Sequence, residues 1–404
     1  MGSMWSWLTR TLALAFVVLG LSGPGAMAQT GDAQQQQAAE ARFGFVIGND
    51  GYDNAELPTA ANDAALVADA LRTAGFDVTG ARNLDQDTFR ASYREFLSKV
   101  AAAGPSAVAA IYISGYGLQF EGENYIIPVG ARIQRESDIG FNAIRLSDLT
   151  RPLAGLQGRG TLVMLDLAYK PPFLPEGLAP GLSLIEPEAN MLVSYNAAPG
   201  MVAPAGAPPY GAYAQAVAEM IRLGGITANE VFDRVRLRVA ELTQNAQMPW
   251  SASRISDPIV LLEQAPNAPS EQVAQEIVDE LDTAPIAQLD EKKAYTAAVK
   301  RDTVKDYQAY TEAFPNAPQA RNVRGMLASR REAITWQRTL NINTPNAYWS
   351  YLKRYPRGPH AADARRRLAR LQAAAEPPPV FDAIEYDVPP PPPEEEDMFF
   401  AGPG

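Results

Sequence analysis

The sequence predicts a three-layer α/β/α sandwich on a mostly parallel sheet, followed by a small all-α domain. Over residues 42–263, short apolar runs alternate with segments whose apolar residues recur at helical spacing. That alternation is typical of a parallel sheet covered by helices on both faces. Residues 291–375 instead carry two similar helical segments 41 positions apart, a period typical of stacked helical repeats. The 404 residues suffice for about two or three domains of ordinary size.

The first 28 residues are predicted to be a secretory signal peptide that does not belong to the fold. Arg10 precedes an apolar run over residues 11–21, and Ala26-Met27-Ala28 is typical of a cleavage site. The run is shorter than the roughly 20 residues that a spanning helix needs, which favours a cleaved signal over a membrane anchor. We therefore expect a bacterial protein that is periplasmic or secreted, without membrane insertion after cleavage, in which residues 29–41 are a linker.

The α/β region contains apolar patterns of two kinds. The segments predicted as strands are Phe43–Ile47, Phe76–Ala81, Ala107–Ser114, Thr161–Leu167, Met191–Tyr195 and Pro258–Leu262. The segments predicted as helices are Ala64–Ala74, Thr88–Ala102, Tyr210–Arg222 and Ala228–Leu242. Asn62 and Asp63 are predicted to cap the first helix, and Gly75 to end it. Sites in such folds lie beyond the carboxyl ends of the strands, where Tyr116 and Ala168 follow two of them.

The all-α region over residues 291–375 is predicted to be a pair of helical hairpins, which residues 264–290 join to the α/β region as a linker with a helix. The segment YQAYTEAFPNAPQA (residues 307–320) recurs as YWSYLKRYPRGPHA (residues 348–361). In each copy an aromatic helix stops at a proline and an alanine-rich helix follows. Such units stack their apolar faces and present binding surfaces, so we expect this region to contact a protein or peptide partner.

Charge is unevenly distributed along the chain, whose net charge is −11. Residues 376–404 hold eight acids and no Lys or Arg, and with their proline runs they are predicted to be a disordered tail. Residues 321–371 hold twelve Lys and Arg against two acids, for a net of +10. The tail is interpreted either as a recognition segment anchored by Phe399 and Phe400 or, preferably, as a solvated tail that folds back on the basic block.

The basic run Arg365-Arg366-Arg367, with Arg370, has two interpretations as well. Such a run can contact nucleic acid or anionic polymers of the cell envelope. Because an exported protein rarely meets nucleic acid, the sequence favours a solvated helix face paired with the acidic tail, and no nucleic-acid partner is predicted.

The composition excludes several kinds of chemistry. The sequence contains no Cys and a single His, His360, which rules out a cysteine nucleophile, a disulfide, an iron–sulfur cluster and a Cys/His zinc site. A catalytic triad would have to use His360, which lies in a turn where the other helical copy has Gln319. Asp50, Asp53 and Asn54 do not form a twelve-residue calcium loop. No metal and no cofactor is therefore predicted.

A series of motifs over residues 42–263 resembles, in order and spacing, the bacterial caspase-like domain of the peptidase family shared with metacaspases. The motifs are FGFVIGN (43–49), NDA (62–64), IYISGYGLQ (111–119), YIIPV (125–129), TLVMLDLAYKPPF (161–173), GLAP (177–180), SYNAAPG (194–200) and QMPW (247–250). The resemblance implies a caspase-like sandwich and a cysteine-peptidase ancestry.

The resemblance also implies that both catalytic groups are missing. In the family, a Gly-His-Gly-Leu-Gln turn carries the catalytic His and a Leu-Asp-Ala-Cys-Arg turn carries the nucleophile. The corresponding turns here hold Tyr116 and Ala168, which are 52 residues apart, near the roughly 50 expected between His and Cys. A methyl group cannot attack a carbonyl, and a phenol with a reference pKa of about 10 is a poor base at neutral pH. The chain is therefore predicted to be a degenerate, inactive member of the family, with no catalytic residues.

Two hypotheses concern what remains of the cleft. The resemblance assigns Asp166 to a pocket for a basic side chain, and the N–H groups of Gly117 and Ala168 to oxyanion binding. A vestigial cleft of Asp166, Gly117 and Tyr169 would then bind an extended basic peptide without cutting it. Alternatively, Asp166 accepts backbone hydrogen bonds at the strand end, while Tyr116 and Tyr169 fill the pocket.

The function predicted from the sequence is that of an exported, inactive caspase-like protein. It would act as a protein-binding scaffold or regulator, through the helical repeats, the vestigial cleft, or both. Two alternatives stay open: residual proteolysis by unrecognised groups, and an α/β region that is only a structural platform for the helical repeats. The sequence predicts no oligomeric state.

Overall fold

The computed structural model describes residues 40–263 apart from Asn54, residues 281–390, and residue 392. The predicted signal peptide and nearly all of the following linker lie outside the described residues. So do residues 264–280, and Phe399 and Phe400 of the tail. Among the helices of the described part, none is long and apolar enough to cross a membrane.

The described residues contain nine strands and eleven α-helices. The strands are β1 (Arg42–Gly48), β2 (Asp77–Arg82), β3 (Val108–Ser114), β4 (Gly117–Phe120), β5 (Glu123–Ile126), β6 (Ile144–Arg145), β7 (Gly160–Asp166), β8 (Met191–Tyr195) and β9 (Trp250–Ser253). The helices are α1 (Ala60–Thr73), α2 (Gln86–Ala103), α3 (Ile139–Asn142), α4 (Ser147–Gly155), α5 (Ala212–Leu223), α6 (Ala228–Leu242), α7 (Glu291–Arg301), α8 (Val304–Ala313), α9 (Ala320–Ile342), α10 (Pro345–Arg354) and α11 (Ala361–Arg370).

A six-stranded sheet with the order β2-β1-β3-β7-β8-β9 forms the middle layer of the α/β region. All neighbouring strands run parallel except β8 and β9. Side chains along β1 alternate between two cores, as the pleat requires. Phe45 belongs to the core that includes Phe89 of α2, and Val46 to the core that includes Val67 of α1 and Val217 of α5. The predicted three-layer sandwich with a mostly parallel sheet, followed by an all-helical region, is confirmed.

The predicted strand at Pro258–Leu262 is wrong. These residues make only an isolated bridge, between Thr227 and Val260, and the last strand of the sheet is β9. The apolar pattern has another cause, because Ile259 and Leu261 are buried in the core under the α1 and α5 helices. The small antiparallel sheet of β4, β5 and β6 was not predicted, because its strands are only two to four residues long.

The predicted cap of the first helix is also wrong. The α1 helix begins at Ala60, so Asn62 and Asp63 lie within its first turn. The Asp63 carboxylate is fully buried and accepts a hydrogen bond of 2.7 Å from the N–H of Gly211. Asp63 therefore ties α1 to the start of α5 instead of capping its own helix.

In the helical region, matching contacts occur at positions 41 apart. The α7 and α9 helices both end at a residue in the left-handed conformation, Asp302 (φ 48°) and Asn343 (φ 49°). The side chain of each accepts a hydrogen bond from a buried tyrosine: from Tyr307 over 2.7 Å at Asp302, and from Tyr348 over 2.5 Å at Asn343. Threonines then cap α8 and α10. The two segments therefore share their backbone geometry as well as their sequence pattern.

The described part of the acidic tail, residues 376–390 and 392, forms no helix or strand. Residues 381–388 contact α10 and the end of α9, which lie within the basic block of residues 321–371. Phe381, Ile384 and Tyr386 are half-buried and Val388 is buried, while the acids between them face solvent. Extended backbone places alternate side chains on one face, which is how an acid-rich segment can still cover an apolar surface.

Candidate functional site

The two turns that the sequence singled out lie side by side at the carboxyl edge of the sheet. The β3 and β7 strands pair in parallel, with Ser114 opposite Asp166. Beyond the strands, the N–H of Gly115 donates to the Asp166 carbonyl over 3.2 Å, and the N–H of Gly117 donates to the Leu167 carbonyl over 2.9 Å. Tyr116 and Ala168 therefore occupy adjacent turns, as the spacing predicts.

Tyr116 is a packing group in an aromatic cluster. Its ring lies 4.9 Å from that of Tyr52 and 5.6 Å from that of Phe173. The Tyr52 hydroxyl accepts a hydrogen bond from the Tyr116 N–H and donates one to the Ile127 carbonyl. Burial raises the pKa of Tyr116 above its ordinary value of 10.0, which makes proton exchange at neutral pH still less accessible. Sequence reasoning gave Tyr52 no role, although it lies in the stretch after the first strand that the resemblance covers.

Asp166 lies at the centre of a buried hydrogen-bond network. Oδ1 accepts from the Tyr169 hydroxyl (2.6 Å) and the Asn196 amide (2.8 Å), and Oδ2 accepts from the Tyr112 hydroxyl (2.8 Å). The Ser114 hydroxyl is farther away, at 3.5 Å from Oδ2. Burial raises the pKa of Asp166, and these donors lower it. Asp166 thus accepts its hydrogen bonds from side chains and not, as one of the two hypotheses expected, from the backbone.

A second buried acid, Asp63, belongs to the same neighbourhood and was missed at the sequence level. Burial and the charge of Asp166 raise the pKa of Asp63 from 3.8 to about 7, against the opposing effects of Thr59 and of the hydrogen bond from Gly211. One Asp63 oxygen, Oδ2, is buried without a hydrogen-bond partner, which fits a carboxyl group that is protonated below neutral pH. The only signal in the sequence was the NDA motif, which also fits an ordinary helix start.

The backbone donors expected at an oxyanion site are engaged inside the protein. The Gly117 N–H donates to the Leu167 carbonyl, and the Ala168 N–H donates to Asn196 Oδ1 over 3.0 Å. Both Ala168 and Tyr169 are buried. The predicted cleft residues Asp166, Gly117 and Tyr169 therefore do come together, and the Asp166 carboxylate, the Gly117 N–H and the Tyr169 hydroxyl all bond within the protein itself.

The helical region packs over this edge of the sheet through His360. Its Nε2 lies 2.7 Å from Gln119 Oε1, and its Nδ1 lies 2.6 Å from Glu332 Oε1. The Gln119 amide nitrogen donates to the Pro180 carbonyl, so its oxygen faces the imidazole, and Nε2 must be the donor. The ring stacks on Trp336 with centroids 4.7 Å apart, and the side chain is 1% exposed. The single imidazole is therefore a fully engaged contact between the two regions.

The basic run of α11 also bonds to the α/β region, and within residues 376–390 and 392 of the tail it meets no acidic partner, in contrast to the expected pairing. Arg366 donates to the Gly177 carbonyl over 2.8 Å, Arg367 donates to the Glu121 carbonyl, and Arg370 forms an ion pair with Glu121. The loops around the carboxyl edge of the sheet supply these acceptors. Charge patterning along the sequence cannot distinguish an acidic loop from an acidic tail as the partner, which explains the error.

A cavity of about 320 Å³ lies at the junction of the two regions. Three methionines, Met201, Met248 and Met326, line it together with Arg321 and Asn322 of α9. In the described part of the chain, no group of three or more acidic or histidine side chains is placed to hold a metal ion.

The parallel sheet, its strand order and the paired turns beyond β3 and β7 define a caspase-like α/β protein. The family model for the caspase domain matches residues 41–260, more than half of the chain, and the chain belongs to this peptidase family. No curated protein matches the chain.

Proposed function

We propose that this protein is a catalytically inactive member of the caspase family, exported from a bacterial cell, that works by binding other proteins as a scaffold or regulator. One observation carries the proposal: the groups that a peptidase of this family would turn toward a peptide are bonded within the protein. Asp166 accepts three short side-chain hydrogen bonds, and the Ala168 N–H donates to Asn196. With a methyl group at position 168, no attacking atom is left there.

Residual proteolysis by other groups finds little support in the geometry. The serine hydroxyl nearest in sequence to the two turns is that of Ser114, which is buried and makes only a 3.5 Å contact with Asp166. A serine nucleophile needs a base that accepts its proton while the oxygen faces substrate. Ser114 meets neither condition, since Asp166 already has three shorter donors.

The proposal of inactivity is tested by incubating the purified chain with fluorogenic peptides that end in Arg or Lys. We expect no turnover above that of a Ser114→Ala, Tyr116→Phe variant, which lacks the Ser114 and Tyr116 hydroxyls. Turnover by the wild-type chain that this variant loses would overturn the proposal.

A second variant tests whether the inactivity comes from the missing His and Cys alone or also from the hydrogen bonds that engage the rest of the site. Tyr116→His with Ala168→Cys restores both family residues, yet we expect it to stay inactive, because Tyr169 still bonds to Asp166 and the N–H of residue 168 still donates to Asn196. Cleavage by this variant would show that the surrounding frame is intact. In that case the loss of two side chains alone would account for the inactivity.

Export is tested separately by the mass of the chain recovered from the cell envelope or the medium. The proposal expects a mature chain that begins at Gln29. A full-length chain retained in the cytoplasm would contradict it.

A further inference from the structure

The outer face of α10 holds the acidic tail through contacts made by side chains, many of them charged or polar. The Asn346 amide donates to the Asp382 carbonyl over 2.8 Å, and the Ser350 hydroxyl accepts from the Ile384 N–H over 2.9 Å. Arg354 donates to the Val388 carbonyl. The tail residues 381–388 therefore lie extended along the helix, with their backbone held at three points.

Aromatic side chains of the tail fill the spaces between these points. The ring of Phe381 lies 6.3 Å from Trp349, edge to face, and 5.6 Å from the ammonium group of Lys353. The guanidinium of Arg354 lies 5.3 Å from the ring of Tyr386. Cation–π contacts of this kind are individually weak at exposed sites. The surface thus recognises aromatic rings in an acidic context.

The end of α9 completes this surface. The hydroxyls of Thr339 and Tyr386 lie 2.9 Å apart and share a hydrogen bond. Arg338 lies 3.5 Å from the carboxylate of Asp387, whose side chain is 94% exposed. An exposed ion pair is weak and sensitive to salt. The tail is therefore held by several modest contacts and not by a deep core.

The other helical copy lacks the residues that hold the tail. Its framework positions match, because Tyr307 and Tyr310 correspond to Tyr348 and Tyr351. The contact positions differ: Asn346, Trp349, Ser350, Lys353 and Arg354 correspond to Lys305, Gln308, Ala309, Glu312 and Ala313. Trp349 also packs on the core of its own copy and donates to the Ala374 carbonyl. The other four side chains contact the tail, and the other copy forms the same helices without them.

We infer that this face of α10, with the end of α9, is a recognition surface for an extended acidic segment with aromatic residues on another protein, and that the chain's own tail is its displaceable occupant. This inference rests on the proposed binding function and names the class of partner. Contacts with an attached tail benefit from an effective concentration in the millimolar range. A partner therefore displaces the tail only if it binds the surface more tightly or is itself multivalent.

The test uses the full chain and a labelled peptide of residues 380–390, VFDAIEYDVPP. Phe381→Ala with Tyr386→Ala weakens the attached tail without touching the surface. We expect this open-tail chain to bind the peptide with about tenfold or greater affinity over the wild-type chain, whose own tail competes. Fluorescence anisotropy of the peptide measures both affinities.

The matched control grafts the other copy's residues onto the surface of the open-tail chain: Ser350→Ala, Lys353→Glu and Arg354→Ala. The other copy already folds with these residues, and we expect peptide binding to fall about tenfold or more. The inference would be overturned if the grafted chain bound the peptide as tightly as the open-tail chain, or if the open-tail chain did not bind it. The tail would then be a fixed part of the structure. If the double tail variant does not fold, Tyr386→Ala alone serves in the same comparison. Failure here leaves the peptide-turnover result, and with it the proposed inactivity, unaffected.

Discussion

Single residues explain why the site edge is closed. Asp166, which the resemblance assigned to a basic side chain, is satisfied by Tyr112, Tyr169 and Asn196. A buried carboxylate without such partners would cost several kcal/mol, so the network stabilises the fold. Asp166, which the resemblance assigns to the pocket, is therefore engaged in hydrogen bonds inside the protein.

Asp63 gives the stability of the protein a defined pH dependence. Its pKa is raised from 3.8 to about 7 by burial and by the charge of Asp166, so the folded state binds more protons than the unfolded state between these pH values. The stability that Asp63 contributes is full below about pH 4 and is lost as the pH rises through about 7, by up to about 4 kcal/mol. We expect Asp63→Asn to abolish this loss. The free energy of unfolding of the variant should therefore rise relative to that of the wild type as the pH rises from 4 to 8. Urea unfolding at both pH values measures the change.

The control for this prediction is Asp69→Asn, on the same helix, where the side chain is 70% exposed. It should leave the pH profile unchanged. An Asp63→Asn profile that parallels the wild-type profile would contradict the assignment of the raised pKa.

A cysteine placed at position 168 tests the closure of the site directly. The chain has no other cysteine, so Ala168→Cys carries a single thiol at a position that is 1% exposed. A thiol reagent reaches it only when the structure opens, and we expect labelling on the order of 100-fold slower, or more, than at an exposed position. The comparison is Ala205→Cys, whose site is exposed. Equal labelling rates would show that the edge of the sheet is open in solution.

At the scale of elements, the two helical copies end a helix in the same way. A residue in the left-handed conformation accepts a hydrogen bond from a tyrosine five positions later, at Asp302 and at Asn343. Asn and Asp tolerate this conformation better than other side chains, and both offer an oxygen to the tyrosine. The sequences of these turns differ, but the physical requirement is the same.

Asn343→Ala removes both benefits at once. We expect a loss of about 2 kcal/mol in the free energy of unfolding, because the alanine is strained at positive φ and the Tyr348 hydroxyl loses its acceptor. Asn343→Asp is the matched control, since Asp302 already performs the same role, and it should stay close to the wild type. Thermal and denaturant unfolding report both variants, and similar losses for the two would contradict this account of the turn.

Several elements could be predicted from the sequence and others could not. The β3, β7 and β8 strands are buried along their whole length, so their apolar runs were unambiguous. The β9 strand, WSAS, is an edge strand with little apolar character, and the buried run after it misled the prediction. Docking of the tail depends on contacts between segments more than 30 residues apart, which local patterns do not contain. The adjacency of Tyr116 and Ala168 followed from strand register, but their burial did not.

At the scale of the whole molecule, the helical region and the α/β region are joined at several points around the carboxyl edge of the sheet. Arg236 of α6 is buried and donates to the Val299 carbonyl at the end of α7, and it lies 3.7 Å from the carboxylate of Asp302. The Ser329 hydroxyl of α9 donates to the Pro199 carbonyl. Together with His360 on Gln119, these contacts make the helical region part of the closed edge and more than an appended module.

His360→Ala is expected to loosen this joint. The variant leaves Glu332 buried without its imidazole partner and opens a space beside Trp336, at a cost of about 3 kcal/mol or more. Amide exchange in α11 and at Gln119 should therefore rise. Gln319→Ala, at the corresponding position of the other copy, should leave exchange unchanged, because Gln319 is only half-buried. Unchanged exchange in His360→Ala would show that the joint does not depend on this residue.

The length of the α9 helix determines how cooperatively the helical region unfolds. It spans 23 residues; its first half follows α8 in one hairpin, and its second half precedes α10 in the next. Neither hairpin can unravel without removing half of a helix that the other needs. Repeats that contact each other only at their boundaries can unfold one at a time. Because both hairpins share the α9 helix, their unfolding is coupled. We expect the helical region to unfold in a single cooperative transition.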